Sequence, residues 1–216
     1  MKDIIILGPP GSGKGTQAKK LAQKLSMFYF GTGDLLRDEK QNNTPIGKEF
    51  QEILEKREGG LVPDEFINKF VKEKLQIIDL HKNIIFDGFP RTLSQAEMLE
   101  IFFKKQKRDY IVLNLEVNEE NIILRLATRR ICSNCGKIYY RPDELGKISC
   151  DVCQGKLVHR QEDTPEVIKK RIKIYNQQTL PLIDFYKEKN KIININGNLS
   201  IEEVDKEIRE EIDESN

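Results

Sequence analysis

The chain has 216 residues, which is enough for one domain or for one core that carries one or two insertions. Hydrophobic residues make up 38% and charged residues 33%, with 36 basic against 35 acidic side chains. This balance excludes disorder driven by net charge and provides no global field that would attract nucleic acid or an anionic membrane. No apolar run is long enough to cross a bilayer, and the apolar start is too short for the core of a signal peptide. We therefore predict a soluble, cytosolic (cytoplasmic) protein.

Short apolar segments, rich in β-branched and aromatic residues, alternate along the chain with longer segments of helical spacing. The predicted strands are residues 4–7, 27–30, 84–86, 111–115 and 192–195. The predicted helices are residues 15–25, 63–79, 92–106, 118–130, 165–188 and 200–212. This alternation predicts an α/β fold, a doubly wound parallel sheet of five strands with helices on both faces. Two segments fit the alternation poorly and are predicted insertions, one polar and helical at 34–62 and one containing the cysteines at 131–160.

The first predicted strand leads into a glycine-rich loop, GPPGSGKGT, at residues 8–16. Glycines let consecutive backbone N–H groups point inward, and the helix that follows adds its positive N-terminal end. Lys14 adds a mobile charge suited to the outer phosphates of a nucleotide. An ordinary glycine-rich turn is the alternative, but the order of strand, loop, lysine and helix favours a phosphate-binding loop. Gly15 follows the lysine, so the hydroxyl that commonly ligates Mg²⁺ is displaced to Thr16.

Two further strand ends carry polar residues that suit the same site. Asp87 follows a strand of the same sheet, where its carboxylate is placed to hold Mg²⁺ or its waters, and Arg91 offers a planar fork for a phosphate. Gly88 and Pro90 shape the turn between them. After the second strand, Thr32 precedes a helix that contains Arg37, and a capped helix with a solvent-facing arginine is the alternative there.

Arginines accumulate on both sides of the cysteine segment, at Arg125, Arg129, Arg130, Arg160 and Arg171. The first three are predicted to share one helix, with Arg125 and Arg129 four residues apart and therefore on one face. An insertion flanked by arginines can carry several cations over a phosphate site. A solvated basic face is the alternative.

Four cysteines form two C-x-x-C pairs, Cys132 with Cys135 and Cys150 with Cys153, separated by fourteen residues. Two such pairs can place four thiolates tetrahedrally around Zn²⁺. Because all four positions would be filled by protein, the site is predicted to be structural rather than catalytic. A redox dithiol is the alternative, although a redox motif needs only one pair.

Together these motifs resemble the adenylate kinase family, and the resemblance covers essentially the whole chain. It rests on the phosphate loop, on TGDLLR at 32–37, GLVPDE at 60–65, and DGFPRT at 87–92 followed by Gln95. It continues with the paired arginines at 129–130, Lys170-Arg171, PLIDFY at 181–186 and Asn196-Gly197. The cysteine segment resembles the zinc-bearing lid of the long bacterial-type enzymes. Two positions depart from the family: Gly31 replaces a usual serine, and Cys153 replaces a frequent aspartate.

The resemblance implies a core with the phosphate loop at 1–30, 63–128 and 164–216, an AMP-binding insertion at 31–62 and a zinc-binding lid at 129–163. For ATP it implies contacts with Gly11, Ser12, Gly13, Lys14, Gly15, Thr16, Arg125, Arg129, Ile138, Tyr139 and the backbone carbonyl of Leu199. For AMP it implies Thr32, Arg37, Gly60, Leu61, Val62, Gly88, Phe89, Pro90, Arg91, Gln95, Arg160 and Arg171. The catalytic set it implies is Lys14, Asp87, Arg91, Arg129, Arg160 and Arg171.

The resemblance also implies the reaction ATP + AMP ⇌ 2 ADP, carried out with Mg²⁺ by a monomer that holds a structural Zn²⁺ and binds neither nucleic acid nor membranes. A nucleic-acid-binding ATPase with a zinc ribbon is the rival from another class. The net charge of +1 and the absence of an aromatic stacking cluster near the cysteines beyond Tyr139 and Tyr140 argue against it. A kinase for UMP or CMP is the nearer rival. Gln95 and Thr92 favour adenine, because an amide side chain can read the edge of that base bidentately.

Overall fold

The structure, a computed structural model, describes residues 1–56, 61–140 and 146–214. Its strands are β1 (Asp3–Leu7), β2 (Phe28–Gly31), β3 (Ile84–Asp87), β4 (Tyr110–Glu116), β5 (Arg129–Cys132), β6 (Ile138–Tyr140), β7 (Leu157–Val158) and β8 (Ile192–Asn196). Its helices are α1 (Lys14–Lys24), α2 (Thr32–Gln41), α3 (Pro45–Lys56), α4 (Asp64–Ile77), α5 (Leu93–Gln106), α6 (Glu119–Ala127), α7 (Pro165–Ile174), α8 (Pro181–Glu188) and α9 (Ile201–Glu214). A 3₁₀ turn at Gln161–Asp163 precedes α7, and a π-helical turn at Tyr175–Thr179 follows it.

The large sheet contains five strands in the order β2-β3-β1-β4-β8, and every neighbouring pair is parallel. All five predicted strands are confirmed, as is the doubly wound α/β class. Because parallel strands end at the same edge, the segments that follow β1, β2 and β3 emerge side by side there. The phosphate loop, the start of α2 and the turn after Asp87 are therefore neighbours.

The sequence of the central strand β1 is almost entirely apolar because all five of its residues are buried. Ile5 and Leu7 face a core that includes residues of α4, α5 and α8, whereas Ile4 and Ile6 face a second core that includes residues of α1 and α9. Strands covered on both faces read as continuous hydrophobic runs rather than as alternating ones. The two cores fix the sheet edge that carries the site.

The predicted helix at 118–130 is too long, and this corrects the placement of two arginines. Helix α6 ends at Ala127, and the hydroxyl of Thr128 donates to the carbonyl of Leu124 at 2.8 Å, capping the last turn. Arg129 and Arg130 begin β5, where they pair with Tyr140 and Tyr139 of β6. The prediction that Arg125 and Arg129 share one helical face is therefore wrong. Their pairing partners lie eleven and nine residues further along the chain, so helical spacing gives no information about this pairing.

The predicted helix at 165–188 is interrupted in its middle by the π-helical turn. There the N–H of Leu180 donates to the carbonyl of Tyr175 at 2.9 Å, five residues back rather than four. Pro181, which has no N–H to continue the α-helical ladder, begins α8 immediately afterwards. The hydroxyl of Thr179 in this turn donates to the carbonyl of Arg91 at 2.9 Å, which connects the turn to the site.

The two predicted insertions have different architectures. Within the described residues, 34–62 contains α2 and α3, which pack against each other, and no strand. The cysteine segment forms a small antiparallel sheet in the order β6-β5-β7. Among the described residues, no helix is both long and apolar enough to span a membrane.

Candidate functional site

The loop between β1 and α1 has the backbone shape of an anion-binding loop. Gly11 and Gly13 adopt φ values of 80° and 95°, a region that residues with a Cβ atom rarely enter. Helix α1 begins directly afterwards, and its first N–H groups have no partner within the helix. An anion at this end also interacts favourably with the helix dipole. The predicted loop residues are thus brought together around one concavity: Gly11, Ser12, Gly13, Lys14, Gly15 and Thr16.

Lys14 lies at the base of this loop with its ammonium group on backbone carbonyls. Its Nζ atom donates to the oxygens of Gly8 at 2.6 Å and Pro9 at 2.7 Å. Although part of the side chain remains open to solvent, desolvation lowers its pKa to about 7. Asp87 opposes that shift, and the positive charges of Arg91, Arg171 and Arg129 add to it, largest first. The carboxylate of Asp87, which raises the pKa of Lys14, therefore does not offset the effect of burial.

Asp87 lies against the loop, at the end of the strand beside β1. A Cβ atom added to Gly15 would lie 3.0 Å from Oδ2 of Asp87, so the carboxylate touches the first turn of α1. The hydroxyl of Tyr29 also lies 3.0 Å from this oxygen. A carboxylate beside a phosphate loop is a ligand type that Mg²⁺ prefers, directly or through water, so the donor set fits that ion.

Arg129 and Arg171 are brought together by one buried carboxylate, that of Asp163. Arg129 donates to both oxygens of Asp163, from Nε at 2.7 Å and from Nη2 at 2.6 Å. Arg171 donates to Oδ1 of the same residue at 3.0 Å. The side chain of Asp163 has no exposed surface. One carboxylate thus holds two guanidinium groups in fixed geometry and leaves the cluster with an excess of positive charge.

Arg160 and Arg37 stand close enough to affect each other. Burial lowers the pKa of Arg160, and the charges of Arg129 and then Arg37 add to this shift. Arg160 also lies 3.7 Å from a carboxylate oxygen of Glu162, while Arg37 pairs with Asp34 in the first turn of α2. The structure therefore brings an arginine from the proposed insertion and one from the end of the cysteine segment to the same cation-rich region.

The turn after β3 presents Arg91 at the same sheet edge. The Nε atom of Arg91 donates to the carbonyl of Gly88 at 2.9 Å, which folds the side chain back over the turn. Phe89 is buried, and its peptide bond to Pro90 is cis. Among the predicted residues of this turn, Phe89 anchors the backbone and Arg91 carries the charge.

The predicted acceptor pocket contains a polar group without a partner. Within the described part of the chain, the hydroxyl Oγ1 of Thr32 is buried and has no hydrogen-bond partner. A buried polar group of this kind is costly unless a ligand or water completes it. Leu61 and Val62 are half-buried nearby in sequence before α4, and Val62 packs on the core. Gly60, also predicted here, lies outside the described residues.

Gln95, predicted to read the base, is 2% exposed and hydrogen-bonded at both ends of its amide. Its Oε1 atom accepts from the backbone N–H of Arg91 at 2.8 Å, and its Nε2 atom donates to Asp64 at 2.7 Å. An amide oxygen has two lone pairs and an amide nitrogen two hydrogens, so one acceptor and one donor site remain. This is the donor and acceptor pair required to read an adenine edge.

Four residues predicted to contact the donor nucleotide lie in two separate places. Nη2 of Arg125 reaches the carbonyl oxygen of Leu199 at 3.5 Å, so these two predicted residues are neighbours. Ile138 and Tyr139 belong to β6 in the small sheet instead. The side chain of Tyr139 is buried against Cys132 and Cys150, so only its backbone and Ile138 offer surface to a nucleotide.

The four cysteines cluster as a possible metal site. Their Sγ atoms all lie within 4.8 Å of one another, with Cys132 to Cys153 at 3.4 Å and Cys135 to Cys150 at 3.6 Å. Sulfur ligands about 2.3 Å from a tetrahedral Zn²⁺ stand at a comparable mutual separation. All four are free thiols rather than disulfides.

The four thiols perturb one another's ionisation. A hydrogen bond from the hydroxyl of Tyr139 is the largest of the effects that lower the pKa of Cys150 to about 6. The N–H of Gly155 lowers the pKa of Cys153, but the neighbouring thiols of Cys132, Cys135 and Cys150 together with burial outweigh it and raise that pKa to about 12. Four adjacent thiolates repel one another unless a metal ion neutralises them. The residues therefore fit Zn²⁺ by number, type and spacing.

Comparison with known proteins relates this geometry to a family. A family model described as adenylate kinase matches residues 6–191. The chain belongs to the adenylate kinase family. It is 42% identical over 211 residues to an adenylate kinase of Thermosipho africanus, covering 95% of this chain and 97% of that protein. It is 44% identical over 211 residues to the adenylate kinase of Archaeoglobus fulgidus, with 95% of each chain covered. It is also 43% identical over 210 residues to that of Petrotoga mobilis, covering 95% and 94% of the two chains.

Membership of the adenylate kinase family makes the chain a nucleoside monophosphate kinase. The family reaction is the reversible transfer of the terminal phosphoryl group of ATP to AMP, which gives two ADP. The predicted resemblance and enzyme class are thereby confirmed. Nucleotides are therefore the substrates of this family.

Sequence reasoning missed three residues that organise this site: Tyr29, Asp64 and Asp163. Asp163 carries a local signal, because Thr164-Pro165 begins a helix and places the preceding residue at its N-terminal end, beside Arg160. Asp64 also carries one, since it opens α4 directly after Pro63. Tyr29 lies in a strand two residues before an unusual glycine, and only the pairing of strands places it beside Asp87.

Proposed function

We propose that the phosphates of ATP lie in the loop at 11–16, that AMP lies between the insertion at 31–62 and the turn after β3, and that the phosphoryl group passes between them. The observation that supports this most is the convergence of cations on Lys14, where Arg91, Arg129 and Arg171 all lower its pKa. A phosphoryl group in transfer spreads negative charge over its three equatorial oxygens. Cations fixed before the reaction stabilise that charge without reorganisation.

The arginines predicted for catalysis and for AMP binding each have a place in this proposal. Arg129 and Arg171, held by Asp163, face the outer phosphates of the donor, and Arg160 joins them from the end of the segment 129–163. Arg37 and Arg91 bind the phosphate of AMP from the opposite side, one from α2 and one from the turn after β3. The two nucleotides then point their phosphates at each other across the cation cluster, which favours in-line transfer.

We further propose that residues 129–163 act as a lid. Arg129 and Arg160 lie at its two ends, so a movement of this segment toward the loop carries both cations with it. Closure excludes water, which would otherwise accept the phosphoryl group, and strengthens the electrostatic interactions inside the site. The lid residue Ile138 and the carbonyl of Leu199 with Arg125 then contact the donor adenosine.

Two metal ions belong to the proposal. Mg²⁺ bound with ATP neutralises charge on the phosphates, and Asp87 and Thr16 are the residues that would hold it or its waters. Zn²⁺ would be held by Cys132, Cys135, Cys150 and Cys153, where it supplies folding energy to the lid and takes no part in the chemistry. We also propose a monomer in the cytoplasm, where reducing conditions keep the four cysteines as thiols.

A coupled assay of ADP formation with ATP as donor and AMP, CMP, UMP or GMP as acceptor tests the proposal. We expect AMP to be the preferred acceptor, activity to require Mg²⁺, and Lys14→Met to remove most of the activity in a folded protein. Preference for CMP or UMP would favour the pyrimidine kinases instead. ATP hydrolysis without an acceptor, combined with retention on single-stranded nucleic acid, would favour a nucleic-acid-binding ATPase.

A further inference from the structure

The hydroxyl of Tyr29 lies between two carboxylates, those of Asp34 and Asp87. Its oxygen is 3.0 Å from Oδ2 of Asp34 and 3.0 Å from Oδ2 of Asp87, so these two carboxylate oxygens are separated by at most twice that distance. Asp34 belongs to α2, and Asp87 ends β3 beside the phosphate loop. Tyr29 therefore connects the acceptor side of the site to the side that faces the metal.

The position of the Tyr29 ring explains the glycine at 31. Residues two apart in a strand lie on the same face, and the ring folds back over Gly31. A Cβ atom at Gly31 would lie 2.6 Å from Cε1 of Tyr29 and closer still to its hydroxyl. Any larger residue at 31 would push the ring away from the two carboxylates. The absence of a side chain at Gly31 thus leaves room for the Tyr29 ring, so that its hydroxyl reaches both carboxylates.

A phenol has one proton to donate, so it cannot satisfy both carboxylates at once. Asp34 has other donors, because Lys19 reaches Oδ2 at 2.7 Å and Arg37 reaches Oδ1. Within the described part of the chain, no hydrogen bond other than that of Tyr29 reaches the carboxylate of Asp87. The proton of Tyr29 therefore belongs on Asp87, where it fixes the rotation of the carboxylate.

We infer that Tyr29 is a positioning residue that orients the Asp87 carboxylate toward Mg²⁺ and, through Asp34, links that carboxylate to Arg37. The inference rests on the proposed roles of Asp87 and Arg37. A cation bound at Asp87 neutralises part of the charge of this carboxylate, so its hydrogen bond with the hydroxyl of Tyr29 becomes weaker. The hydroxyl can then donate to Oδ2 of Asp34. This added hydrogen bond reduces the negative charge that the carboxylate offers to Arg37 through Oδ1, so the guanidinium is held less tightly and can bind a phosphate. Metal binding on one side and anion binding on the other are thereby coupled.

Calorimetry on Tyr29→Phe tests this, with Tyr110→Phe as the matched control. Tyr110 lies in β4 of the same sheet, at the end of the strand opposite to the site, and its hydroxyl also donates to a carboxylate, that of Glu100. The probe is a non-hydrolysable ATP analogue, titrated with and without Mg²⁺. We expect the gain in affinity caused by Mg²⁺ to fall about tenfold in Tyr29→Phe, the scale of one hydrogen bond to a charged group. Metal-free affinity should stay within about twofold, and the control should retain the full gain.

A gain from Mg²⁺ that survives in folded Tyr29→Phe overturns the inference, and so does a wild-type protein that shows no such gain. If Tyr29→Phe does not fold, Gly31→Ala provides the second variant, because it keeps the tyrosine but displaces its ring. The same loss is expected there, and an unchanged gain again overturns the inference. Formation of ADP from ATP and AMP by the wild-type protein is measured separately. Its absence would contradict the proposed function, whereas its presence with an unaltered Tyr29→Phe contradicts only the role of Tyr29.

Discussion

Gln95 donates a hydrogen bond from Nε2 to Oδ1 of Asp64 over 2.7 Å, and this contact fixes which end of the Gln95 amide is the donor. The other oxygen of Asp64 accepts from the hydroxyl of Thr92 at 2.6 Å, so the carboxylate holds two residues of the same turn. A carboxylate can only accept, which leaves the amide no alternative orientation toward it. In the proposed binding mode, the acceptor base therefore meets a hydrogen-bond donor and an acceptor of Gln95 in a fixed order.

Asp64→Asn should relax the choice of acceptor. An asparagine at this position can present either end of its own amide, so the orientation of Gln95 is no longer unique. We expect the KM for AMP to rise about tenfold and the preference for AMP over CMP and UMP to narrow, with a smaller change in kcat. The control is Glu65→Gln, which removes a neighbouring exposed carboxylate from the same first turn of α4. An unchanged ranking of acceptors would show that Asp64 does not set the base preference.

Nucleotide binding should take up a proton at Lys14. Because the pKa of Lys14 is lowered to about 7, the side chain is mostly neutral near pH 8 in the free protein. Phosphates restore its charge, so affinity should decline as the pH rises above 7. Titration of the ATP analogue in buffers of different ionisation enthalpy should report an uptake of about one proton near pH 8 and much less near pH 6. Lys14→Met should bind with no such uptake, and a buffer-independent enthalpy in the wild type would refute the assignment.

Asp163→Asn should separate stability from catalysis when it is compared with a second buried carboxylate. The substitution leaves Arg129 and Arg171 without their shared counter-charge, which should cost about 3 kcal/mol of stability and at least tenfold in kcat. Asp205→Asn is the matched control, since this carboxylate is also buried and pairs with Lys24 at 2.6 Å between α9 and α1. It should be destabilised in thermal unfolding yet keep its kcat. Equal loss of kcat in both variants would mean that destabilisation alone accounts for the effect.

Removal of the metal should loosen the lid and spare the core. Elemental analysis of protein purified under reducing conditions should find about one zinc per chain. Cys150→Ser should lower the melting temperature and the hydrogen-exchange protection of residues 129–163, because a small polar segment holds little apolar surface of its own. Binding of nucleotide phosphates to the loop should persist. Ser133→Ala, an exposed change within the first cysteine pair, should leave metal content and protection intact. A protein free of zinc with an unaltered lid would contradict this expectation.

The parts of the fold that sequence reasoning predicted depend on local signals. The strand at Asp3–Leu7 and the glycines after it are contiguous, so the phosphate loop can be recognised in a single stretch. The four cysteines are likewise identified by spacing alone. In both cases the residues that act together are close in the chain.

The parts that sequence reasoning missed depend on contacts between distant segments. Arg129 is in a strand because β6 pairs with it, and Asp163 meets Arg129 across 34 residues of chain. Tyr29 reaches Asp87 only because β2 and β3 are neighbours, 58 residues apart in sequence. The glycine at 31 departs from the family pattern, and the structural reason is the Tyr29 ring that covers it.

The ion pair between Arg129 and Asp163 also joins β5, the first strand of the small sheet, to the 3₁₀ turn at the end of the segment 129–163. The two ends of the intervening segment are therefore held together by one buried ion pair. Because the entropic cost of closing a loop rises only slowly with its length, a junction at the base of the segment is compatible with replacements of different length. A chimaera could exchange this segment with that of a relative. If the exchanged segment begins before position 129 and ends after position 163, it brings both residues of the ion pair with it. The natural boundary for such grafts is this ion pair rather than any glycine or proline in the sequence.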